Sequence, residues 1–340
     1  MRFPLADWVD EHAGCRYNLG SSGMRESIQH PLPSPSEVRS ASEERLRREL
    51  GELIGVSPAR VFLTHGATEA NAWAVTYLSR HRAGRPARSR VQYPEYPPLF
   101  DLARSAGYRL VTGPGPAALA VVSQPRNPMG DLWPAERFAE WSREAHATVV
   151  DETFREFTPA PSLQRRGLPG LWSTGSFTKV YGADDLRVGY VVPPEGERDA
   201  FARFHGLVAD EMPDYSIAGA LAILTARERL LRQVRSVFDR NQGLWRRATP
   251  KGPALAAPVA FDDPVYPDGE RFARRCLRAS VLVCPGSLFG RASGVRVCLT
   301  RRSFPRDLGE YLRSRERASR ARPRRSSWRG EVRRVDRPAR

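Results

Sequence analysis

Short apolar runs that alternate with helical patterns constrain this chain more than any other feature. The runs at 61–63, 109–112, 118–123, 148–150, 170–176 and 187–192 have the length of single buried strands. Helical patterns precede or separate them, over 36–54, from about 67 to 80, over 97–106 and over 134–146. This alternation predicts an α/β fold with a mostly parallel sheet covered by helices on both faces.

The second half of the chain predicts a further, smaller unit. Residues 197–246 have a helical pattern throughout, broken near Met212-Pro213, and such a stretch commonly links two domains. From 251 to 313, strand, helix and turn signals alternate as in a small α+β domain. We therefore expect an arm (1–40) that contributes to the small domain, a large domain (41–235), the small domain (236–312) and a tail (313–340).

The net charge of +16 is concentrated at the C-terminus. The tail holds 12 arginines against three acidic residues and has almost no apolar content. Like-charge repulsion with so little to bury predicts a disordered, solvated tail. The charge therefore does not indicate a nucleic-acid partner, and none is expected.

Composition also argues against membrane, secreted and metal-binding classes. The longest apolar runs fall far short of the roughly 20 residues that span a bilayer. The N-terminus lacks the sustained apolar segment of a secretory signal. The four cysteines (Cys15, Cys276, Cys284 and Cys298) form no C-x-x-C pair. We expect a cytoplasmic protein with no membrane contact and no metal.

Lysine is nearly absent, and this draws attention to where it remains. It occurs only at Lys179 and Lys251, whereas arginine occurs 52 times. Forming an imine requires an amine that can lose its proton, which a guanidinium with a pKa above about 12 cannot do. A lysine kept in such a chain is a candidate for that chemistry, and the neighbours of Lys179 support it.

The neighbours of Lys179 include groups that can bind an anion. Ser176-Phe177-Thr178-Lys179 is followed eight residues later by Arg187, so a hydroxyl, an amine and a guanidinium lie close in sequence. Upstream, Gly66-Ala67-Thr68 lies at a strand-to-helix turn, where free N–H groups favour an anion. An acid, Asp151, follows the apolar run at 148–150.

Together with three further motifs, this set resembles the class I/II aminotransferases of pyridoxal phosphate (PLP) fold type I. The resemblance covers about residues 18–312 and keeps the family's motif order. The further motifs are Pro94-Glu95-Tyr96, Asn127-Pro128-Met129-Gly130 and Gly294-Val295-Arg296-Val297. It implies a three-layer large domain with a mostly parallel sheet, a small α+β domain, pyridoxal 5′-phosphate as cofactor, and a homodimer.

The resemblance also implies residue roles. Lys179 would hold the cofactor as a Schiff base and move the proton between substrate and cofactor. Asp151 would pair with the cofactor's pyridine nitrogen, Asn127 would bind its phenolic oxygen and Tyr96 would stack on its ring. The residues implied to bind its phosphate are Gly66, Ala67, Thr68, Ser176 and Arg187. Arg296 would bind the substrate α-carboxylate, and the turn at Gly23 would border the substrate. The implied reaction moves an amino group between an α-amino acid and a 2-oxo acid.

One departure leaves an alternative open. Where the family usually has a tyrosine that donates to the phenolic oxygen, this chain has Phe154. Its absence predicts a cofactor–lysine nitrogen that holds its proton more tightly. Phenylalanine here also resembles decarboxylase-like members, and residues 18–23 are loosely similar to capreomycidine synthase. The alternative is therefore decarboxylation, elimination or cyclisation in specialised metabolism.

A second alternative belongs to another class of protein. PLP-responsive DNA-binding regulators reuse this fold, but they need a helix-turn-helix domain ahead of it. Only a short arm precedes residue 36. The sequence therefore favours an enzyme.

Overall fold

The computed structural model describes residues 3–80, 87–250, 252–263 and 268–320. Its strands are β1 (Tyr17–Asn18), β2 (Phe62–Thr64), β3 (Arg88–Val91), β4 (Arg109–Val111), β5 (Ala117–Ser123), β6 (Ala145–Asp151), β7 (Leu171–Ser176), β8 (Gly189–Val192), β9 (Val259–Asp262), β10 (Val281–Leu282), β11 (Cys284–Pro285) and β12 (Val295–Cys298). Its helices are α1 (Pro4–Glu11), α2 (Pro35–Arg39), α3 (Glu43–Ile54), α4 (Ala67–Ser79), α5 (Pro97–Ser105), α6 (Ala135–Ser142), α7 (Arg198–Val208), α8 (Asp214–Thr225), α9 (Arg227–Ala248), α10 (Gly269–Arg278) and α11 (Phe304–Arg320).

A seven-stranded sheet forms the centre of the molecule. Its order is β2-β8-β7-β6-β5-β3-β4, and all neighbours are parallel except β8, which runs against both of its partners. Helices cover both faces, so successive residues of the middle strands are buried: Val121 and Val149 pack on one side, Val122 and Val150 on the other. Two-sided burial explains the continuous apolar runs. The predicted α/β fold with a mostly parallel sheet is confirmed.

The carboxyl ends of the parallel strands meet at one edge of this sheet. In register, Ser123 at the end of β5 pairs with Asp151 at the end of β6, which pairs with Thr174 in β7. The chain continues from β7 through Ser176 to Lys179. Open α/β sheets bind ligands at this edge.

A second, antiparallel sheet has the order β11-β12-β9. The N-terminal segment packs beside it: β1 pairs in parallel with β10 as a separate two-stranded sheet, and the Trp8 indole N–H donates to the Val283 carbonyl at 2.9 Å. The core of this part also includes Leu19, Phe272 and Tyr311, all fully buried. The arm therefore packs with the C-terminal sheet.

Several elements differ from the sequence predictions. The helix predicted over 36–54 is two helices, because Ser42 caps a new start at α3 by accepting from the Arg45 N–H. The helical stretch at 197–246 is α7, α8 and α9, with Pro213 at the start of α8. Helix α11 ends at Arg320, so residues 313–320 of the expected tail are helical. The rest of that tail, 321–340, lies outside the described residues.

The strand β3 was absent from the prediction. Its Ser89 is fully buried, and the Arg90 guanidinium binds the Glu144 carboxylate and donates to the Trp141 carbonyl at 2.9 Å. Arg90 therefore enters the sheet through partners far along the chain, whereas the Ser89 hydroxyl is buried without a hydrogen-bond partner among the described residues. In the described part of the chain, no helix has both the length and the apolar character needed to cross a membrane.

Candidate active site

A cavity of about 570 Å³ opens at the carboxyl edge of the large sheet. Residues from both sheets and from the N-terminal arm line it. Eleven of the twelve sequence-predicted site residues are among them: Gly23, Ala67, Thr68, Tyr96, Asn127, Asp151, Phe154, Ser176, Lys179, Arg187 and Arg296. The twelfth, Gly66, lies directly against Arg187. The structure thus brings together residues that are up to 273 positions apart in the chain.

Asp151 is held by a buried network of neutral donors. Its Oδ2 accepts from the Asn71 amide at 2.8 Å and its Oδ1 from the Thr153 N–H at 2.9 Å. Asn71 in turn accepts from the Thr174 hydroxyl at 2.7 Å, which fixes its orientation. Burial raises the pKa of Asp151, and no cation lies within ion-pair distance of it among the described residues. A buried carboxylate of this kind fits a ligand that brings a positive N–H.

Lys179 lies against the N-terminal arm. Its carbonyl accepts from the Met24 N–H at 3.0 Å, and an added Cβ at Gly23 would lie 3.7 Å from the Lys179 side chain. Burial lowers the pKa of Lys179, an effect that the Asp184 carboxylate opposes and that the cations Arg296 and Arg187 add to. A lowered pKa increases the fraction of neutral amine, the form that attacks a carbonyl.

The start of α4 forms an anion cradle. Gly66 has a φ of 97° at the N-cap, and no side chain caps the helix, so the first N–H groups face the cavity at Ala67 and Thr68. The Arg187 guanidinium donates to the His65 carbonyl at 3.1 Å, and a Cβ added at Gly66 would lie 2.9 Å from it. Arg187 adopts a φ of 51°, unusual for a residue with a side chain. The donors suit a phosphate.

Two aromatic side chains lie in the same cavity. Tyr96 packs edge-on to Phe3 at 6.2 Å and hydrogen-bonds the Thr68 side chain; burial raises its pKa. Phe154 is 5% exposed and packs on Phe157 at 5.8 Å. Neither Phe154 nor Phe157 carries a hydroxyl group. The Phe154 position therefore offers no hydrogen-bond donor to a ligand.

The surroundings of Arg296 fit an anionic ligand. It is 2% exposed, and it donates to the Gly20 carbonyl at 2.7 Å, to the Asn127 side-chain carbonyl at 3.2 Å and to Cys284 Sγ at 3.4 Å. Its Nε is buried with no partner, and no carboxylate of the described residues pairs with it. A buried guanidinium with neutral partners and a free N–H fits a ligand carboxylate.

The comparison with protein families decides the assignment. The model described as aminotransferase class I and II matches residues 112–303, more than half of the chain. The chain belongs to this family. The matched segment contains Asn127, Asp151, Lys179, Arg187 and Arg296, whereas Gly66 and Tyr96 precede it.

Individual aminotransferases extend the similarity along the chain. The histidinol-phosphate aminotransferase of Halorubrum lacusprofundi is 25% identical over 311 residues, 83% of this chain and 82% of that protein. That of Haloferax volcanii is 27% identical over 235 residues, 62% of this chain and 63% of that protein. The match thus spans less than two thirds of the Haloferax protein.

Solved aminotransferase structures share the fold. The histidinol-phosphate aminotransferase of Sinorhizobium meliloti, solved in complex with pyridoxal-5′-phosphate, superposes with a TM-score of 0.70 at 20% identity. The superposition covers 92% of this chain and 94% of that one. Both halves of the cavity therefore lie within the shared fold.

Sequence reasoning missed four polar residues of this aminotransferase site. Asn71 and Glu95 are fully buried, Ser123 is 4% exposed, and Asp184 faces Lys179. Asn71 carried a usable signal, because it is a polar residue between the apolar positions Ala70 and Ala74 of α4. Ser123 ends a strand at the edge where ligands bind. Glu95 and Asp184 carried no such signal.

Proposed function

We propose that this chain is a PLP-dependent aminotransferase that moves an amino group between an α-amino acid and a 2-oxo acid. The observation that supports it most is the meeting, in one cavity, of Lys179 with a lowered pKa, the buried Asp151 carboxylate and the buried Arg296 guanidinium, neither of which is ion-paired among the described residues. Family membership and the names of the relatives support the same reaction class.

The residues around the cavity fit the cofactor group by group. When bound, PLP supplies an electrophilic aldehyde and a ring that accepts electrons. Lys179 is our candidate for the bond to the aldehyde, and Asp151 for the ring nitrogen. The phosphate is assigned to the N–H groups at Gly66, Ala67 and Thr68 with Ser176 and Arg187, the ring face to Tyr96, and the phenolic oxygen to Asn127. Phe154 is a further cofactor contact that supplies no donor to that oxygen.

On the substrate side, Arg296 binds the α-carboxylate and the turn at Gly23 borders the side chain. Holding the carboxylate fixes which bond of the α-carbon faces the ring, and so selects the C–H bond for cleavage. The Lys179 amine would take up the proton of the substrate α-carbon and deliver it to C4′ of the cofactor. Its lowered pKa keeps a fraction of the amine neutral for this step.

Breakage of a different bond is our second candidate, and Phe154 supports it. Decarboxylation, elimination or cyclisation would use the same cofactor contacts. Phe154 favours this candidate because it stands where class I/II aminotransferases usually have a tyrosine, and phenylalanine here resembles decarboxylase-like members.

The expected assembly and location are proposals of the same kind. We propose a cytoplasmic homodimer, because members of the family usually form dimers with sites at the interface. We also propose the domain limits 1–40, 41–235 and 236–312, with the arm packed on the smaller part. Helix α9 crosses the limit at 235 without a break.

The test is a product screen with purified protein loaded with PLP. Pooled α-amino acids and 2-oxo acids are added, and products are identified by mass spectrometry. Amino transfer predicts new amino acids that appear only when an oxo acid is present. Carbon dioxide or ammonia released without an acceptor would instead support the second candidate. A Lys179→Arg variant, which keeps the charge, is the matched negative control.

A further inference from the structure

A fully buried carboxyl group, Glu95, lies one residue outside the cavity. It precedes α5, and its backbone N–H donates to the Phe289 carbonyl at 3.2 Å, so it is fixed to the C-terminal part of the chain. Its Oε1 accepts from the Tyr96 N–H at 2.6 Å and from the Ser123 hydroxyl, and its Oε2 accepts from the Ser123 N–H at 3.1 Å. Every direct partner of the carboxyl group is therefore a neutral donor.

Ser123 connects this carboxyl group to the site. Its Oγ accepts from the Asn127 N–H at 2.8 Å, and the residue lines the cavity. A serine hydroxyl has one hydrogen to donate and two lone pairs that accept. With Glu95 ionised, that hydrogen is donated to Oε1 and none is presented to the cavity.

Protonation of Glu95 rearranges these bonds. A proton on Oε2 would have no acceptor among the described residues, because Oε2 faces the Ser123 N–H, whereas a proton on Oε1 can be donated to Ser123 Oγ. In the protonated state we therefore place the proton on Oε1. That oxygen then accepts from both Glu95 and Asn127, which uses both lone pairs. Its own hydrogen must leave this line, and the cavity is the remaining direction.

We propose that Glu95 is a positioning residue whose protonation state directs the Ser123 hydroxyl, toward Glu95 when ionised and into the cofactor cavity when protonated. The effect on the cofactor rests on the proposed function. The direction of the hydroxyl does not.

The electrostatic surroundings allow both states. Burial raises the pKa of Glu95 to about 8, against the lowering effect of its three donors and of Arg126. Arg126 is itself paired with Asp131 at 2.7 Å, which weakens its effect on Glu95. Asp151 neighbours Ser123 across the strands, and the cations that line the cavity are Arg25, Lys179, Arg187 and Arg296. These groups remain when Glu95 or Ser123 is replaced, so variants isolate the pair.

The first readout is the titration of Glu95 itself in the PLP-loaded protein. Carbon-13 NMR of labelled glutamate carboxyls is followed over about two pH units on either side of 8, and the Glu95 signal is identified by its loss in Glu95→Gln. We expect a midpoint near 8 that rises in Ser123→Ala, because the serine donor lowers the pKa. Asp262→Asn, which changes a buried carboxyl outside the cavity, should leave the midpoint unchanged.

The second readout is the dissociation constant of PLP against pH. We expect a step of about 2- to 10-fold with the midpoint of Glu95, the size of one hydrogen bond. The step should vanish in both Ser123→Ala and Glu95→Gln. A Glu95 signal that does not titrate, or a step that survives in Ser123→Ala, would overturn the inference. Wild-type protein that takes up no PLP would overturn the proposed function instead, and the same NMR titration of wild type and Ser123→Ala without PLP would still test the Glu95–Ser123 pair.

Discussion

The two sides of the cavity solve opposite electrostatic problems. On the large-sheet side, Asp151 is fixed by Asn71 and Thr153, so its carboxylate is fully oriented before any ligand arrives. On the small-sheet side, Arg296 is just as buried, yet its Nε has no hydrogen-bond partner and no carboxylate pairs with it within the described part of the chain. A prearranged acid suits a group that stays bound, and an unsatisfied cation suits one that comes and goes. In the proposed function, Asp151 serves the cofactor, which stays bound, and Arg296 serves the substrate, which is exchanged in every turnover.

Removing the acid should have the largest effect. In Asp151→Asn the ring nitrogen loses the charge that keeps it protonated. We expect kcat to fall by roughly 100- to 5,000-fold, corresponding to about 3 to 5 kcal/mol for breaking a buried pair. Turnover of the loaded variant measures this, with Asp262→Asn as the control for changing a buried acid. Activity within tenfold of wild type would mean that the Asp151 carboxylate is not needed to keep the ring nitrogen of the cofactor protonated.

Changing the cation should affect substrate and spare the cofactor. In Arg296→Gln we expect kcat/KM for amino acids to fall roughly 30- to 1,000-fold, about 2 to 4 kcal/mol for a buried charged partner. The dissociation constant of PLP should stay within about twofold. Amines that lack a carboxylate are the control, since their slower turnover should not change further. If the affinity for PLP falls as much as kcat/KM for amino acids, Arg296 does not act on the substrate alone.

A smaller loss is expected from the residue behind the acid. Asn71→Ala removes the donor to Asp151 Oδ2, at a cost of about 1 to 3 kcal/mol. Because that bond lowers the pKa of Asp151, its loss raises this pKa further, and activity should disappear at a higher pH as the solution is acidified. The pH profile of kcat measures the shift. Asn241→Ala, a fully buried asparagine outside the cavity, should reduce stability without moving the profile.

The smallest effect concerns the residue that departs from the family. Phe154→Tyr places a hydroxyl at the cavity wall, where it can donate to the cofactor's phenolic oxygen. One such bond, about 1 kcal/mol, should lower the pKa of the nitrogen that joins Lys179 to PLP by somewhat less than one unit. Titrating the visible absorbance of both proteins measures it. Identical midpoints would show that the hydroxyl does not reach the oxygen.

The sequence predicted the parts of this molecule that depend on local pattern. Two-sided burial makes β5 and β6 continuous apolar runs, and the motifs identified Asp151 at the end of β6 and Lys179 three residues after β7. The sequence did not predict features that depend on contacts with residues far away in the chain. Strand β3 is polar in sequence, and its Arg90 is buried against Glu144 and Trp141, which lie far along the chain. Glu95 likewise depends on Ser123, 28 positions away, which no local pattern indicates.

The central claim is that Lys179 bonds to the cofactor, and the scarcity of lysine makes it directly measurable. PLP-loaded protein is reduced with borohydride, digested and analysed by peptide mass spectrometry. We predict one reduced PLP adduct, on the peptide that contains Lys179, retained in Lys251→Arg and lost in Lys179→Arg. Protein that stays colourless with PLP, or an adduct found on Lys251 instead, would contradict the account.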